Sequence, residues 1–175
     1  MTPAARFPSH RVAAPGVYIE AAGIDFEEFE VGQVFEHRPG RTLTADENAR
    51  HAMRSLDLSP HNVDHRYRET LGGEPTIGEP FLLGLVTALT TKTFGKVVAN
   101  LGWTRVSFPH PVHPGDTVYA ESEILETRAS RSRPTQGIVH VRTRAVNQHG
   151  REVCAFERNV LLYRRGHGPY ADAGY

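Results

Sequence analysis

The sequence predicts an α+β domain that combines a buried helix with an antiparallel β-sheet. Two features of the hydrophobic pattern support this fold class. Residues 78–94 repeat apolar side chains at helical spacing. After Gly95 the period changes, and four segments alternate polar and apolar residues or run apolar with many β-branched residues, as strands do. The four segments are 97–108, 116–128, 137–147 and 152–164.

The bulk composition bounds the size and class of the protein. The chain has 175 residues, which suits one domain with a real core. Its 20 basic and 20 acidic residues cancel, which argues against a nucleic-acid partner because phosphate binding needs a basic excess. The N-terminus lacks the apolar core of a signal peptide, and Gly, Thr and Lys interrupt the longest apolar region, 80–98. We therefore expect a soluble, cytoplasmic protein with no membrane partner.

The two ends of the chain differ in character from its middle. Residues 1–23 are rich in Ala, Pro and Gly and show no period, so we interpret them as a flexible, extended arm. Residues 166–175 are similar and predict a flexible tail. The single domain then covers residues 24–165.

The first elements of the domain follow from turn and capping signals. Residues 26–43 predict a short strand or a turn region that leads into a first strand. Thr44 and Glu47 have the spacing of a capping box, which predicts a helix over residues 45–56. Pro60 cannot continue that helix, because proline lacks the backbone N–H that a helix interior needs.

The second helix has the strongest pattern in the chain. Its apolar residues at helical spacing are Phe81, Leu82, Leu85, Val86 and Leu89. From residue 78 to residue 94 it would extend about 25 Å at 1.5 Å per residue. Because it is apolar almost all round, we expect it to be buried, and Gly84 would let a neighbouring element approach closely.

The segment 137–147 shows the alternation of a half-buried strand. One face carries Val139, Val141, Thr143 and Ala145, and the other carries His140, Arg142 and Arg144. One apolar and one polar face are typical of an antiparallel sheet, and residues 148–150 predict a hairpin turn after it. The single cysteine, Cys154, lies in the next apolar run, so we interpret it as a small buried side chain rather than a nucleophile.

Residues 57–65, Asp-Leu-Ser-Pro-His-Asn-Val-Asp-His, concentrate groups that can hold or transfer protons. They supply two carboxylates, two imidazoles, a hydroxyl and a carboxamide within nine residues. A proline breaks the local backbone, and an amphipathic segment comes immediately before. This stretch is therefore the first candidate for an active site.

Five stretches together resemble the MaoC-like hydratases, also called (R)-specific enoyl-CoA hydratases, over roughly residues 25–165. They are residues 26–35, the loop 57–64, the helix 78–94, Phe-Pro-His-Pro-Val-His-Pro-Gly-Asp-Thr at 108–117, and Asn-Gln-His-Gly at 147–150. The resemblance implies a hot-dog fold, in which a curved antiparallel sheet wraps round the long helix. It also implies a homodimer with a continuous sheet and syn addition of water to a trans-2-enoyl-CoA. Neither a metal nor a cofactor is implied, apart from the CoA of the substrate.

The family's motif, Asp-x-Asn-Pro-x-His, fits this chain only in part. Asp57 takes the Asp position and Pro60 the Pro position. Ser59 stands where the motif has Asn, and Asn62 stands where it has His. An imidazole is nevertheless close by, because His61 comes one residue earlier.

Hydration of an enoyl thioester needs a base for water at the β-carbon, a group that serves the α-carbon, and donors for the thioester oxygen. By resemblance Asp57 is the expected base. His61 is expected to orient water or relay a proton. Asn62 is expected to orient water or donate a hydrogen bond, because a carboxamide does not titrate. Simpler roles stay open: a cap for Asp57, an exposed loop imidazole for His61, and a loop-shaping role for Asn62.

Five further residues are expected to bind the substrate. Ser59 lies within the motif, and the helix start at Gly78 and Glu79 offers backbone N–H groups to the thioester oxygen. Arg131 and Arg133 are candidates for contacts with the phosphates of CoA. The alternatives are that Glu79 only complements the helix dipole, and that the two arginines are only solvated loop residues.

Four other titratable residues are expected to have structural roles. His110 and His113 lie in a proline-rich turn, where we favour a structural or rim position. Asp64 and His65 are expected to shape the loop or to begin the next short helix.

Three functions remain open from the sequence. The first is a hydratase or dehydratase of an acyl-CoA, and the several arginines would suit a branched or carboxylated acyl group such as a mesaconyl- or itaconyl-type thioester. The second is a hot-dog thioesterase, in which a carboxylate activates water against the thioester carbonyl. The third is a non-catalytic acyl-CoA-binding subunit, because Asn62 replaces the motif's histidine.

Overall fold

The computed structural model describes residues 10–170 and 172–174. Its strands are, in chain order, β1 His10–Ala14, β2 Val17–Glu20, β3 Val34–Thr42, β4 Val97–Ser107, β5 Thr117–Ala129, β6 Gln136–Asn147 and β7 Glu152–Tyr163. Its helices are α1 Ala45–Ser55, α2 Pro60–Val63, α3 His65–Leu71 and α4 Glu79–Leu89, and a 3-10 turn covers Phe26–Glu28. None of the helices in these two ranges is long and apolar enough to cross a bilayer.

Strands β3 to β7 form one antiparallel sheet in the order β3-β5-β6-β7-β4. The predicted α+β class and antiparallel sheet are confirmed, and the ends of β4 to β7 agree with the predicted ends to within one residue. Strand β6 shows the alternation expected from its sequence. Its buried face carries Val139, Val141, Thr143 and Ala145, whereas Arg142 and Arg144 are exposed.

Helix α4 packs against the inner face of this sheet. Leu82 and Val86 are buried in a core cluster that also contains Leu43, Val118 and Phe156. Burying such side chains contributes roughly 1.5–3 kcal/mol each, so this contact fixes the helix against the sheet. The prediction of burial all round the helix is wrong for the single chain, because Gly84 and Ala88 are exposed on the face that the sheet does not cover.

Helix α4 is also shorter than predicted. It ends at Leu89 rather than near residue 94, and its 11 residues span about 17 Å. The reason is a threonine cluster: the Thr90 hydroxyl donates to the Thr87 carbonyl at 2.7 Å, and the Thr91 hydroxyl to the Ala88 carbonyl at 2.8 Å. Such side-chain bonds compete with the helical ladder and favour turns, which occupy residues 90–94.

Arg158 of β7 is a buried cation at the carboxyl end of α4. Its guanidinium donates to the Thr90 hydroxyl at 2.6 Å and to the Asn100 side chain at 3.1 Å, and lies 5.0 Å from the Phe94 ring centre. Burial lowers the pKa of Arg158 to about 10, so the group stays charged at neutral pH. The partial negative charge of the helix end and the aromatic face both stabilise this cation.

A chain of polar side chains crosses the core beside Arg158. His37 is only 4% exposed, and its Nε2 lies 2.9 Å from the Ser122 hydroxyl, which in turn lies 2.8 Å from the Thr143 hydroxyl. Burial, with Arg158 and Arg38 nearby, lowers the pKa of His37 to about 4. His37 is therefore neutral in the folded protein at physiological pH.

Both ends of the chain carry more structure than their composition indicated. Strands β1 and β2 form an antiparallel hairpin within the predicted arm, and residues 1–9 lie outside the described residues. In the predicted tail, the ring of Tyr170 packs edge-on against Tyr163 at 5.9 Å, and its hydroxyl donates to the Gly95 carbonyl at 3.4 Å. Residues 171 and 175 are not among those described.

Cys154 is confirmed as a buried side chain. It belongs to the core cluster beneath α4, with no exposed surface. Burial, reinforced by the Glu152 carboxylate, raises the pKa of its thiol to about 12. A thiol of this kind is protonated and unreactive at neutral pH.

The buried His37 should make the protein less stable in mild acid. Because folding lowers its pKa from 6.5 to about 4, the unfolded chain takes up the proton first as the pH falls. The stability that His37 contributes is present above pH 6.5 and is lost between pH 6.5 and 4, by about 3 kcal/mol. Urea unfolding between pH 4 and 7 should show a flatter pH dependence for His37→Gln than for the wild type. His167→Gln, at an exposed ring, should follow the wild type, and an equal slope in all three proteins would contradict the prediction.

Candidate active site

The candidate loop begins where α1 ends. Leu56 adopts a left-handed conformation with φ of 56°, and the N–H groups of Leu56 and Asp57 both bond the Ala52 carbonyl. The Thr44–Glu47 capping box is present at the other end of α1, as predicted. Pro60 does not continue α1, but it begins the short helix α2, because a first helical position needs no N–H from its residue.

The Asp57 carboxylate is held by two donors from its own loop. The Ser59 amide donates to Oδ1 at 3.1 Å, and the Asn62 side chain donates to Oδ2 at 2.8 Å. Both oxygens of the carboxylate are therefore oriented, and each keeps a lone pair for a further donor. Asn62 is the residue that occupies the position of the motif's histidine, and it is in direct contact with Asp57.

His61 lies at the rim of the site rather than beside Asp57. Its side chain is exposed, and its ring packs edge-to-face on Tyr67 with ring centres 5.2 Å apart. The next two titratable groups have structural roles, as predicted. Asp64 caps α3 by accepting from the Tyr67 amide at 3.1 Å, and His65 is the first residue of that helix.

Asn48 of α1 is a site residue that the sequence analysis missed. It is only 6% exposed, and its Oδ1 accepts from the Gly78 amide at 2.8 Å, while its Nδ2 donates to the Thr76 carbonyl at 3.5 Å. These bonds attach the segment before α4 to α1. One feature of the sequence could have identified it: Asn48 lies four residues before the buried Ala52 and therefore on the same face of the helix.

The start of α4 offers fewer free donors than expected. The Gly78 amide is already used by Asn48, Pro80 has no N–H, and the Leu82 amide bonds the Gly78 carbonyl at 3.0 Å. Within the described ranges, the amides of Glu79 and Phe81 remain for a ligand at this helix end. Gly78 itself makes room, because a side chain there would come within 3.3 Å of the Asn62 carboxamide.

A cavity of about 540 Å³ lies between the loop and the start of α4. Six of the eight residues selected from the sequence line it: Asp57, Ser59, His61, Asn62, Gly78 and Glu79. The rest of the lining is mainly apolar and includes Ile77, Leu82, Phe108 and Val112. A polar wall that faces an apolar floor is the usual form of a small-molecule site. We refer to this space as the reaction cavity.

Arg131 and Arg133 are not part of this cavity. They lie in the connection between β5 and β6, whereas the cavity residues Phe108 and Val112 precede the start of β5. The 13 residues of β5 separate the two places by roughly 40 Å. These arginines therefore do not line the reaction cavity of their own chain, and their expected contact with the phosphates of CoA stays a prediction.

His110 lines the reaction cavity, in a turn where the sequence indicated a structural or rim position. Its Nδ1 lies 2.8 Å from the Glu152 carbonyl, which can only accept, so the neutral ring carries its hydrogen on Nδ1. Nε2 then has the lone pair. His113 has a structural role, since its Nδ1 donates to the Pro75 carbonyl at 2.8 Å.

Asp116 holds this proline-rich turn in place. Its carboxylate accepts from the His113 amide at 2.9 Å and from the Gln148 side chain at 2.6 Å. Burial alone would raise the pKa of Asp116, but these hydrogen bonds outweigh it and lower the pKa. The turn that supplies Phe108 and His110 is thus tied to the hairpin between β6 and β7.

Residues 16–174 match the family model described as mesaconyl-CoA hydratase. A mesaconyl-CoA hydratase of Cereibacter sphaeroides is 32% identical over 146 residues, which are 82% of this chain and 42% of the relative. A β-methylmalyl-CoA dehydratase of Chloroflexus aurantiacus is 28% identical over 80% of this chain and 40% of its own. The chain spans less than half the length of these two relatives.

Solved structures of MaoC-like and hot-dog proteins are also similar to this chain in fold. A MaoC domain protein from Chloroflexus aurantiacus is 26% identical with a TM-score of 0.76, over 82% of this chain and 41% of the other. The (R)-hydratase of A. caviae is 27% identical with a TM-score of 0.61, over 78% of this chain and 98% of the other. A Mycobacterium tuberculosis protein with a double hot-dog fold is 23% identical with a TM-score of 0.73, over 86% of this chain and 47% of the other. The predicted hot-dog fold is confirmed.

Proposed function

The chain belongs to the mesaconyl-CoA hydratase family of MaoC-like hot-dog proteins, and on this premise we propose that it reversibly hydrates a 2-enoyl-CoA whose acyl group carries a carboxylate. The observation that carries the proposal is the oriented carboxylate of Asp57 on the polar wall of the reaction cavity. The names of the two relatives, a mesaconyl-CoA hydratase and a β-methylmalyl-CoA dehydratase, support a carboxylated acyl group.

In the proposed reaction Asp57 acts on a water molecule beside the β-carbon of the substrate. Asn62 donates from Nδ2 to Asp57, so its Oδ1 can accept a hydrogen bond from that water and orient it. Asp57 takes one proton, the water oxygen bonds to the β-carbon, and the electron pair of the double bond moves toward the thioester carbonyl. The protonated Asp57 then returns its proton to the α-carbon, which restores the carboxylate and gives syn addition.

The start of α4 stabilises the charge that develops on the thioester oxygen. The amides of Glu79 and Phe81 point out of the helix end, where the helix dipole favours negative charge. The apolar floor limits access of bulk water, which strengthens these interactions. No cofactor other than the CoA of the substrate enters this proposal, and we place the reaction in the cytoplasm.

A second candidate function is that of a non-catalytic acyl-CoA-binding subunit. Asn62 at the motif's histidine position favours it. A thioesterase would use the same carboxylate against the thioester carbonyl. The three functions differ in their products, so one assay separates them.

Incubation with mesaconyl-CoA and with crotonyl-CoA should lower the enoyl absorbance without release of free thiol. Asp57→Asn keeps the size and shape of the side chain but removes the base, so the hydration rate should fall by about 10²- to 10⁴-fold. Asp64→Asn, at a carboxylate that only caps α3, should stay within a few-fold of the wild type. Release of thiol would instead show a thioesterase. If neither the enoyl absorbance nor the free thiol changes with either substrate, the binding subunit is favoured. An unchanged hydration rate in Asp57→Asn would show that Asp57 is not part of the mechanism.

Single substitutions can distinguish the catalytic roles of Asn62 and His61. Asn62→Ala removes the donor to Asp57 and the proposed water acceptor, so kcat should fall by about 10- to 100-fold. His61→Ala removes an exposed ring at the rim and should change kcat by less than about threefold. Steady-state kinetics on both variants would test this, with circular dichroism to check folding. The reverse pattern would make His61 the second catalytic residue.

We further propose that the chain forms a homodimer through β4. This strand is one edge of the sheet, and it exposes the apolar side chains of Val97, Leu101, Trp103 and Val106. The opposite edge, β3, is poorly suited to pairing, because it contains Pro39, several charges and a break in register. A second copy at β4 would continue the sheet and supply a second hot-dog domain.

Sedimentation velocity should give twice the mass of the 19.4 kDa chain. In a symmetric antiparallel pairing centred on β4, the two copies of Leu101 come close together, so Leu101→Glu should shift the protein to monomer through charge repulsion. Val12→Glu, at an exposed position of the β1–β2 hairpin, should remain dimeric. A wild type that sediments as a monomer would overturn this assembly and favour a different hot-dog chain as the partner.

A further inference from the structure

We propose that Arg68 binds a carboxylate of the acyl group in a second cavity that adjoins the reaction cavity. This inference rests on the proposed function and assigns a residue to its substrate specificity. The second cavity, which we call the acyl cavity, has a volume of about 340 Å³ and lies between α1 and α3.

The two cavities share part of their walls. Asn62 and Thr76 line both of them. Asn62 also contacts Asp57, so a group in the acyl cavity would lie close to the proposed base. The acyl cavity is therefore within reach of a short acyl chain whose thioester lies in the reaction cavity.

The lining of the acyl cavity is largely apolar. Its apolar residues are Ala45, Ala49, Met53, Val63 and Pro114. These side chains suit the carbon atoms and a methyl branch of a small acyl group. Charged groups are few: Arg68, Asp46 and the ionisable ring of His65.

Arg68 is the cation of this cavity that lacks an acidic partner. Its Nη2 lies 3.0 Å from Nδ1 of His65, and its Nε is shielded from solvent without a hydrogen-bond partner among the described residues. Within the described ranges no carboxylate lies within ion-pair distance of Arg68, whereas Asp46 is paired with Arg50 at 2.9 Å. The half-buried guanidinium is therefore only partly satisfied by the protein.

A carboxylate fits what Arg68 lacks. Leaving a shielded N–H without an acceptor is unfavourable, so such groups in native proteins are usually satisfied by a ligand, water or ion. A carboxylate can accept from Nε and an Nη at once in the fork geometry that arginine favours. His65 accepts from Arg68 at Nδ1, so its neutral ring carries a hydrogen on Nε2 and adds a donor to the same cavity.

The acyl cavity can be tested without catalysis by measuring the binding of saturated thioesters, which have no double bond to hydrate. Succinyl-CoA and butyryl-CoA share the CoA moiety and differ at the chain end, which is a carboxylate in one and a methyl group in the other. Any contact with the phosphates of CoA therefore cancels in the ratio of their affinities. Isothermal titration of the wild-type protein should show at least about tenfold tighter binding of succinyl-CoA.

Arg68→Gln should remove this preference while leaving the affinity for butyryl-CoA within about threefold. Arg66→Gln is the matched control, because Arg66 lies on the same helix with its side chain 92% exposed and should leave the ratio unchanged. Three results would overturn the inference: no preference in the wild type, a preference that survives in Arg68→Gln, or an equal loss of both ligands in that variant, which would indicate a structural role. No binding of either thioester would also overturn it.

Kinetics distinguish a failure of this inference from a failure of the proposed function. If Arg68→Gln lowers kcat/KM for mesaconyl-CoA but not for crotonyl-CoA, both the subsite at Arg68 and the hydratase function are supported. If the wild type hydrates both substrates and their kcat/KM ratio is the same in Arg68→Gln, the subsite is wrong and the hydratase stands. If neither substrate is hydrated but the succinyl-CoA preference depends on Arg68, the subsite stands and the protein binds rather than converts its ligand.

Discussion

The hydrogen bond from the Gly78 amide to the Asn48 side chain is the interaction on which the site depends. It fixes the start of α4, whose far side is fixed by Leu82 and Val86 in the core. Because Asn48 is itself held in α1, the bond sets the spacing between α1 and α4. The loop with Asp57 leaves α1 and faces the start of α4, so this spacing is also the width of the reaction cavity. An amide to carboxamide bond in a shielded place is well suited to this task, since neither group changes charge with pH.

The family motif has histidine where this chain has Asn62. This difference changes the proton chemistry that the site can perform, but it leaves the hydrogen bond to Asp57 in place. A histidine there would offer both a hydrogen bond and a second titratable group. Asn62 retains the hydrogen bond, at 2.8 Å from Asp57, and cannot exchange a proton. In the proposed mechanism Asp57 must therefore both remove and return the proton. Syn addition permits this, because both new bonds form on the same face of the double bond.

The sequence predicted the fold well because the signals for the sheet are local. Alternation in β6, the Thr44–Glu47 capping box and the glycine-containing turn before β7 each identify an element without knowledge of its partners. The length of α4 was less predictable: residues 90–94 remain compatible with a helix in pattern, but threonine hydroxyls compete for the carbonyls there. The exposed face of α4 could not be predicted, because burial depends on how far the sheet wraps round the helix.

The site was predictable where its residues are neighbours in sequence and not where they meet through the fold. Asp57, Ser59 and Asn62 lie within six positions, and a family motif covers them. Asn48 meets Gly78 across 30 positions, and His110 reaches the cavity only because Asp116 and the β6–β7 hairpin hold its turn. The position of Arg131 and Arg133 away from the reaction cavity could not be predicted for the same reason, since the end of the sheet at which a loop lies is a property of the topology.

The two proposals together constrain the size of the substrate. Asn62 lines both cavities and contacts Asp57, so a carboxylate bound by Arg68 would lie only a few bonds from the carbons that react. A short dicarboxylic acyl group meets this condition. A long fatty acyl chain does not, because its apolar carbons would have to pass a half-buried guanidinium and displace its hydration without replacing it. The same arginine would thus favour the carboxylated substrate and disfavour the uncharged long-chain one, and discrimination of this kind needs no change in the residues that carry out the hydration.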